Sequence, residues 1–196
     1  SQYREGVNTL KLMEDLRQMT RQFAGVSITL GKDANGPPPQ PPINLEITGE
    51  DISRLIEIIN PHPKDHIIEI GPGRGALTAG LLEKVCVLQA IELDRDLIPV
   101  LEQRFAAEGT LQLRQADALK VDYEALAQGR AIRLVGNLPY NISTPLMFHI
   151  LASQANIVDM HFMLQKEVVE RLVAAPGTRS YGRLTVAVAA QASAQL

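Results

Sequence analysis

The chain has one cysteine, Cys86, among 196 residues. That excludes an internal disulfide and a multi-cysteine zinc site, and it fits a reducing compartment. Long hydrophobic runs are also missing. Stretches such as Leu184 to Ala190 fall well short of the roughly 18 residues a spanning helix needs, and no charged-then-apolar leader opens the sequence. A spanning protein or exported precursor is therefore not expected, and a cytoplasmic location is. Positive charge is not in excess: 19 Lys and Arg face 22 Asp and Glu, a formal −3. A broad basic face for nucleic acid is thereby excluded, so any RNA contact has to be local or shared. No internal repeat or low-complexity tract occurs beyond a group of prolines. What is present, 45% hydrophobic and 21% charged residues, is the profile of a chain that folds, at a length suited to one complete domain. The first residue is Ser1, as expected of a processed product or an excerpt.

The pattern divides near residue 50, giving expected units 1–51 and 52–196. Leu10, Leu12, Met13, Leu16, Met19 and Phe23 recur at roughly helical spacing, which predicts an amphipathic helix over Gly6 to Phe23. Val26 to Leu30 reads as a short strand. Five of the twelve prolines lie between Pro37 and Pro42 and mark an exposed loop, and the alternation of Ile43, Leu45 and Ile47 predicts a half-buried strand. Ser53 to Asn60 reads as a helix stopped by Pro61 and Pro63. Buried strands then alternate with helices: Ile67 to Ile70, Cys86 to Ile91, Leu111 to Gln115, Ile132 to Val135 and Val158 to Leu164. The helices between and after them are Ala76 to Lys84, Arg95 to Ala107, Tyr123 to Gln128, Thr144 to Ser153 and Lys166 to Ala174. This is the pattern of an α/β fold, a Rossmann-like parallel sheet with helices on both faces, preceded by a small α+β unit.

Four segments carry chemistry. Glu69-Ile70-Gly71-Pro72-Gly73-Arg74-Gly75-Ala76 falls where a strand ends and a helix begins, and its glycines allow positive φ and close approach of a ligand to the backbone. Gly71, Gly73 and Ala76 also satisfy the dinucleotide spacing, so a nicotinamide or flavin enzyme competes at this point. Glu92, at the end of the second strand, can accept hydrogen bonds from both hydroxyls of a ribose. Asp94 and Asp96 read as helix N-terminal charges. Asp117, just past the third strand, can accept from the exocyclic amine of an adenine, with a capping aspartate as the alternative.

The fourth segment is Gly136-Asn137-Leu138-Pro139-Tyr140-Asn141, after the fourth strand. An adenine amine is a poor nucleophile because its lone pair is delocalised into the ring. The Asn137 side-chain oxygen and the Leu138 carbonyl can accept its two protons and localise that pair. Pro139 stiffens the turn without adding a donor, and Tyr140 offers a flat face for an unstacked base. This chemistry needs no metal. A plain turn with Ser143 or Thr144 as cap would explain Pro145 but not the residues before it.

These segments, with Met147-Phe148-His149, the run Asp159 to Val168 and Tyr181-Gly182-Arg183-Leu184-Thr185-Val186, resemble the S-adenosylmethionine-dependent ribosomal RNA adenine N6-dimethyltransferases, in the bacterial small-subunit (16S) form. The resemblance covers about Ile52 to Val186. It implies that Glu69, Gly71, Gly73, Glu92, Asp117 and Asn137 hold S-adenosylmethionine. It also implies that Asn137, Leu138, Pro139 and Tyr140 form the target-adenine site, with small-subunit ribosomal RNA as partner and a monomeric chain. Members carry a Gln-Asn-Phe-Leu segment that nothing before Ile52 matches, and after Val186 they continue into further strands and a small helical domain. Truncation at both ends is thus expected, and a cofactor- or RNA-binding module without turnover is the alternative.

Met13 to Arg17, Gly25 to Thr29, Ala34 to Pro38 and Pro42 to Asp51 resemble the porter region of resistance-nodulation-division efflux transporters. That resemblance implies a fused unit, with a transporter-derived interaction fragment as a further alternative. His149 and His161 read as structural histidines, and Cys86 as a buried residue beginning a strand. Lys166, Arg171, Arg179 and Arg183 read equally as phosphate contacts or as a solvated face.

Overall fold

The computed structural model describes the short strands β1 (Gly25–Val26) and β2 (Ile47–Thr48), residues 52–108 and residues 110–190. The helix expected over Gly6 to Phe23 and the proline loop lie outside the described residues. β1 and β2 pair antiparallel, Gly25 opposite Thr48. The main body runs α1 (Ile52–Ile59), β3 (Ile67–Ile70), α2 (Ala76–Leu82), β4 (Leu88–Glu92), α3 (Leu97–Arg104), β5 (Leu111–Gln115), α4 (Tyr123–Ala127) and β6 (Ile132–Asn137). It continues through α5 (Tyr140–Ala152), β7 (Ile157–Met163), α6 (Lys166–Leu172) and α7 (Arg183–Ala189).

Strands β3 to β7 form one parallel sheet in the order β5-β4-β3-β6-β7. β3 is central and buried along its whole length, as the apolar run Ile67, Ile68 and Ile70 requires once helices cover both faces. The two-residue period of a strand sends alternate side chains into separate cores. Ile68 and Ile70 join Leu134, Phe162, Met147 and Tyr123 on one face, and Ile67 joins Leu55, Leu81, Leu101 and Val135 on the other.

The chain leaves β3 toward β4 and β5 on one side, then returns to add β6 and β7 on the other. This reversal opens a crevice at the carboxyl ends of β3 and β6, where open α/β sheets bind ligands. Gly136 keeps the two strands close: a Cβ there would lie 2.5 Å from the Ile70 carbonyl oxygen.

Three expectations need correction. Cys86 is exposed and precedes the strand; β4 begins at Leu88, the first residue in register with β3, opposite Ile67. Helix α5 begins at Tyr140, not Thr144, because Pro139 sits at its N-cap with φ −67°. The Pro139 carbonyl accepts from the Ser143 amide at 3.3 Å and its hydroxyl at 2.9 Å. Pro145 therefore lies inside the helix, where only the bond back to the Asn141 carbonyl is lost. β5, expected as a buried strand, has no buried residue because it is the sheet edge and, among the described strands, pairs only with β4. Helix α7 lies where the sequence pattern predicts no element.

Candidate active site

The loop after β3 takes left-handed backbone at three alternate residues: Gly71 (φ +67°), Gly73 (+58°) and Gly75 (+83°). Side chains rarely adopt these angles, which is why glycine recurs there. At Gly71 and Gly73 nothing lies within 4 Å of where a Cβ would stand, so the loop presents bare backbone to open space.

Glu92, at the carboxyl end of β4 and 7% exposed, organises this loop. Its Oε2 accepts from the Gly73 amide and its Oε1 from the Asp94 amide, both at 3.0 Å. A carboxylate has about four lone-pair directions, so acceptor capacity remains for a ligand's hydroxyls. The Gly71 amide donates to the Ile91 carbonyl at 2.9 Å, and the Ala116 amide to the Glu92 carbonyl at 2.9 Å. Asp117 Oδ1 accepts from the Leu119 amide at 3.0 Å, and Oδ2 lies 3.5 Å from Lys120 Nζ. Asp94 accepts from the Asp96 amide at 2.9 Å ahead of α3, where Asp96 is the N-cap.

These groups surround a cavity of about 430 Å³ lined by Gly71, Gly73, Glu92, Asp117, Asn137 and Pro139, together with Ile91, Leu93, Asn141 and Ile142. Five of the six residues expected to bind a cofactor are thus brought to one cavity. The sixth, Glu69, is not a lining residue. It is 1% exposed and accepts from the Thr78 hydroxyl at 2.7 Å. Of the expected target-site residues, Asn137 and Pro139 line the cavity. Leu138 is buried, with its amide donating to the Met163 carbonyl at 3.0 Å, and Tyr140 is 47% exposed. The sequence reading missed Thr78 and Leu93. Leu93 is 66% exposed, and the signal the sequence offers is its place directly after the strand-end acid Glu92.

Burial pushes the Glu69 carboxyl up to about 7, opposed by the Thr78 hydrogen bond and reinforced by the charge of Glu92. A raised carboxylate pKa means the native state keeps a proton that the unfolded chain releases. The ligand-free protein is therefore expected to lose stability as pH rises from the ordinary glutamate range to about 7, then to level off. Urea denaturation across that range should show the slope in the parent protein and not in Glu69→Gln. A flat parental profile would mean that Glu69 ionises freely.

Other expected roles resolve as packing. His149 Nε2 lies 2.8 Å from the Val121 carbonyl, and its ring is 5.6 Å from that of Tyr123. His161, 3% exposed, lies 3.3 Å from Asp159. Among the described residues no group of three or more His, Cys, Asp or Glu is placed to hold a metal ion, and no helix is long and apolar enough to cross a membrane.

A glycine loop, a strand-end acid and a cavity at the reversal point of a parallel sheet define a Rossmann-like domain built to receive a nucleoside ligand. Two solved structures share this fold. A dimethyladenosine transferase from Plasmodium falciparum superposes with a TM-score of 0.61 at 30% identity, covering 69% of this chain and 48% of the other. The 23S rRNA methyltransferase ErmE gives 0.60 at 24% identity, covering 69% and 52%.

The chain belongs to the ribosomal RNA adenine dimethylase family, whose model matches residues 48–196. Ribosomal RNA small subunit methyltransferase A of Pseudomonas syringae pv. tomato is 54% identical over 138 residues, which are 70% of this chain and 52% of that protein. The chain thus spans about half the length of the curated relatives it matches. Family membership removes the nicotinamide and flavin alternatives. The efflux-transporter resemblance of residues 1–51 gains no support from a match that begins at residue 48.

Proposed function

We propose that this chain carries the catalytic core of an S-adenosylmethionine-dependent methyltransferase acting on N6 of adenosines in small-subunit ribosomal RNA. The observation that carries the reading is the meeting of two loops on one cavity: Gly71 and Gly73 from the β3 end, Asn137 and Pro139 from the β6 end. The names of the relatives, a small-subunit ribosomal RNA methyltransferase and a dimethyladenosine transferase, point to the same substrate.

The residues fit the cofactor. Bare glycine backbone suits the methionine portion, Glu92 the ribose hydroxyls and Asp117 the adenine amine, while the apolar faces of Ile91 and Leu93 suit the base. Glu69 belongs to this set as a buried support, through Thr78, rather than as a direct contact. S-adenosylmethionine supplies an electrophilic methyl group when bound.

The chain's own task is to present the amine. Asn137 Oδ1 and the Leu138 carbonyl accept hydrogen bonds from its two N–H groups, Pro139 fixes the turn, and exposed Tyr140 gives the base a surface to stack on. The Pro139 carbonyl is already committed to the first turn of α5, and the Leu138 amide to β7, so the loop is held before substrate arrives. Positioning of this kind contributes about 7–11 kcal/mol, and the adenine proton leaves to solvent. The same reading takes residues 52–196 as the core and 1–51 as a separate unit, with a cytoplasmic monomer as the working form.

Calorimetry with the full chain tests the cofactor. S-adenosylmethionine should bind, and Glu92→Ala should weaken binding about 10- to 100-fold, as loss of charge-assisted hydrogen bonds requires. Absence of binding, or indifference to Glu92→Ala, sinks the reading. Labelled-methyl transfer to unmethylated small subunits then separates an enzyme from a module that binds without turnover.

A further inference from the structure

We propose that Arg104 and Phe105, where α3 ends, are positioning residues that hold the Gly71–Gly75 loop in its cofactor-receiving shape from outside the cavity. The inference rests on the cofactor assignment above. Neither residue lines the cavity, yet both reach the loop.

Phe105 is 5% exposed, and its ring packs onto Gly75 so closely that a Cβ there would stand 2.5 Å from Cε2 and 2.8 Å from Cζ. Arg104 Nη1 donates to the Arg74 carbonyl. The Arg104 guanidinium lies 5.2 Å from the centroid of the Phe105 ring, so the two groups brace one another. One pins the carbonyl of the loop's most exposed residue, and the other abuts the glycine that closes the turn.

The inner side of the loop is held by different groups. Glu92 takes the Gly73 amide, Ile91 takes the Gly71 amide, and the Gly75 amide donates to the Pro72 carbonyl at 2.8 Å. Glycine is the residue with the most backbone freedom to lose. Three of them in five positions would sample many shapes if held from one side alone, and a ligand would then have to supply the ordering itself. With the outer brace in place, the receiving shape is populated before binding. Loss of the brace lowers apparent affinity by the fraction of competent loop that remains.

The test uses the full chain and four variants: Arg104→Ala, Arg104→Lys, Phe105→Ala and Phe105→Leu. Affinity for S-adenosylmethionine and S-adenosylhomocysteine is read by calorimetry, loop opening by hydrogen exchange at the Gly73 and Gly75 amides, and global stability by urea denaturation. Arg104 is exposed, so its replacement leaves the core untouched, and it decides the matter if Phe105→Ala fails to fold.

Arg104→Ala should weaken both ligands about 3- to 10-fold and speed exchange of the loop amides at nearly unchanged global stability, and Arg104→Lys should recover most of the affinity. Phe105→Ala should weaken binding further, with Phe105→Leu intermediate. Affinity within twofold of the parent in Arg104→Ala, or loss not relieved by Arg104→Lys, overturns the proposal while leaving the cofactor assignment intact. A parent chain that binds neither ligand overturns the assignment itself.

Discussion

Asn137→Ala is expected to slow methyl transfer by about 100-fold while leaving S-adenosylmethionine affinity within about fivefold of the parent. The size follows from what a preorganised hydrogen-bonding group contributes when charge shifts in a transition state, about 10²–10³ in rate. An adenine amine gains nucleophilicity only as its lone pair is drawn out of the ring, and an acceptor already in place does this without reorganising solvent. Asn137 is the last residue of β6, set opposite Met163 in the register of β6 and β7, and it lines the cavity with Pro139. Its backbone is fixed by the sheet, so truncation removes the acceptor without moving the loop. Asn137→Asp, which keeps an acceptor, should retain more activity than Asn137→Ala. Single-turnover transfer to unmethylated small subunits at saturating cofactor is the appropriate measurement. A rate unchanged in Asn137→Ala would remove this residue from the target site.

Arg133→Leu should destabilise the protein by about 3 kcal/mol, the lower end of what loss of one partner from a buried ion pair costs. Arg133 stands at the amino end of β6, on the side of the sheet away from the cavity. Its Nε lies 2.8 and 3.0 Å from the two Asp159 oxygens, its Nη1 donates to Asp65 at 2.6 Å, and its Nη2 donates to the Ile59 carbonyl at 2.6 Å. One guanidinium therefore joins the end of α1, the entry to β3 and strand β7. Burial alone would raise the Asp159 carboxyl, but hydrogen bonds from His161 and Arg133 outweigh it and hold the pKa below its ordinary value. Leucine would leave two carboxylates and a main-chain carbonyl short of partners. Pairing Arg133→Leu with Asp159→Leu should recover only part of the loss, since Asp159 is no longer a stranded charge while Asp65 still lacks the guanidinium. Urea denaturation at neutral pH reads both effects. A single-variant loss below about 1 kcal/mol would place the cluster with ordinary surface pairs.

The sheet was legible because its central strands are short apolar runs, its edge strand Leu111–Gln115 alternates, and its helices obey a different period. The site was legible for a related reason. Left-handed glycines and strand-end acids are local requirements, visible at Gly71, Gly73 and Glu92 before any packing is known. What escaped the sequence is in part local capping and in part contacts between residues distant in the chain. The onset of α5 at Tyr140 follows from Pro139 serving as N-cap with its carbonyl taken by Ser143, and periodicity says nothing about that. Cys86 lies outside β4 because the partner strand starts at Ile67. The role of Arg133 depends on Asp65 and Asp159, 68 and 26 residues away, and the demand for glycine at position 136 comes from the neighbouring Ile70 carbonyl.

The reversal of strand order at β3 also bears on how the cavity comes into being. Its two walls are far apart in the chain, one built from the ends of β3, β4 and β5 and the other following β6. They meet only when β6 docks beside β3, a pairing that closes a long loop of chain. Such non-local contacts form late, since loop-closure entropy is spent before they repay it. Eleven of the fifteen residues lining the cavity, from Ile70 to Ala118, lie at the ends of β3, β4 and β5, and four follow from β6. Docking of β6 therefore adds Asn137, Pro139, Asn141 and Ile142 and closes a cavity whose larger wall precedes it in the chain.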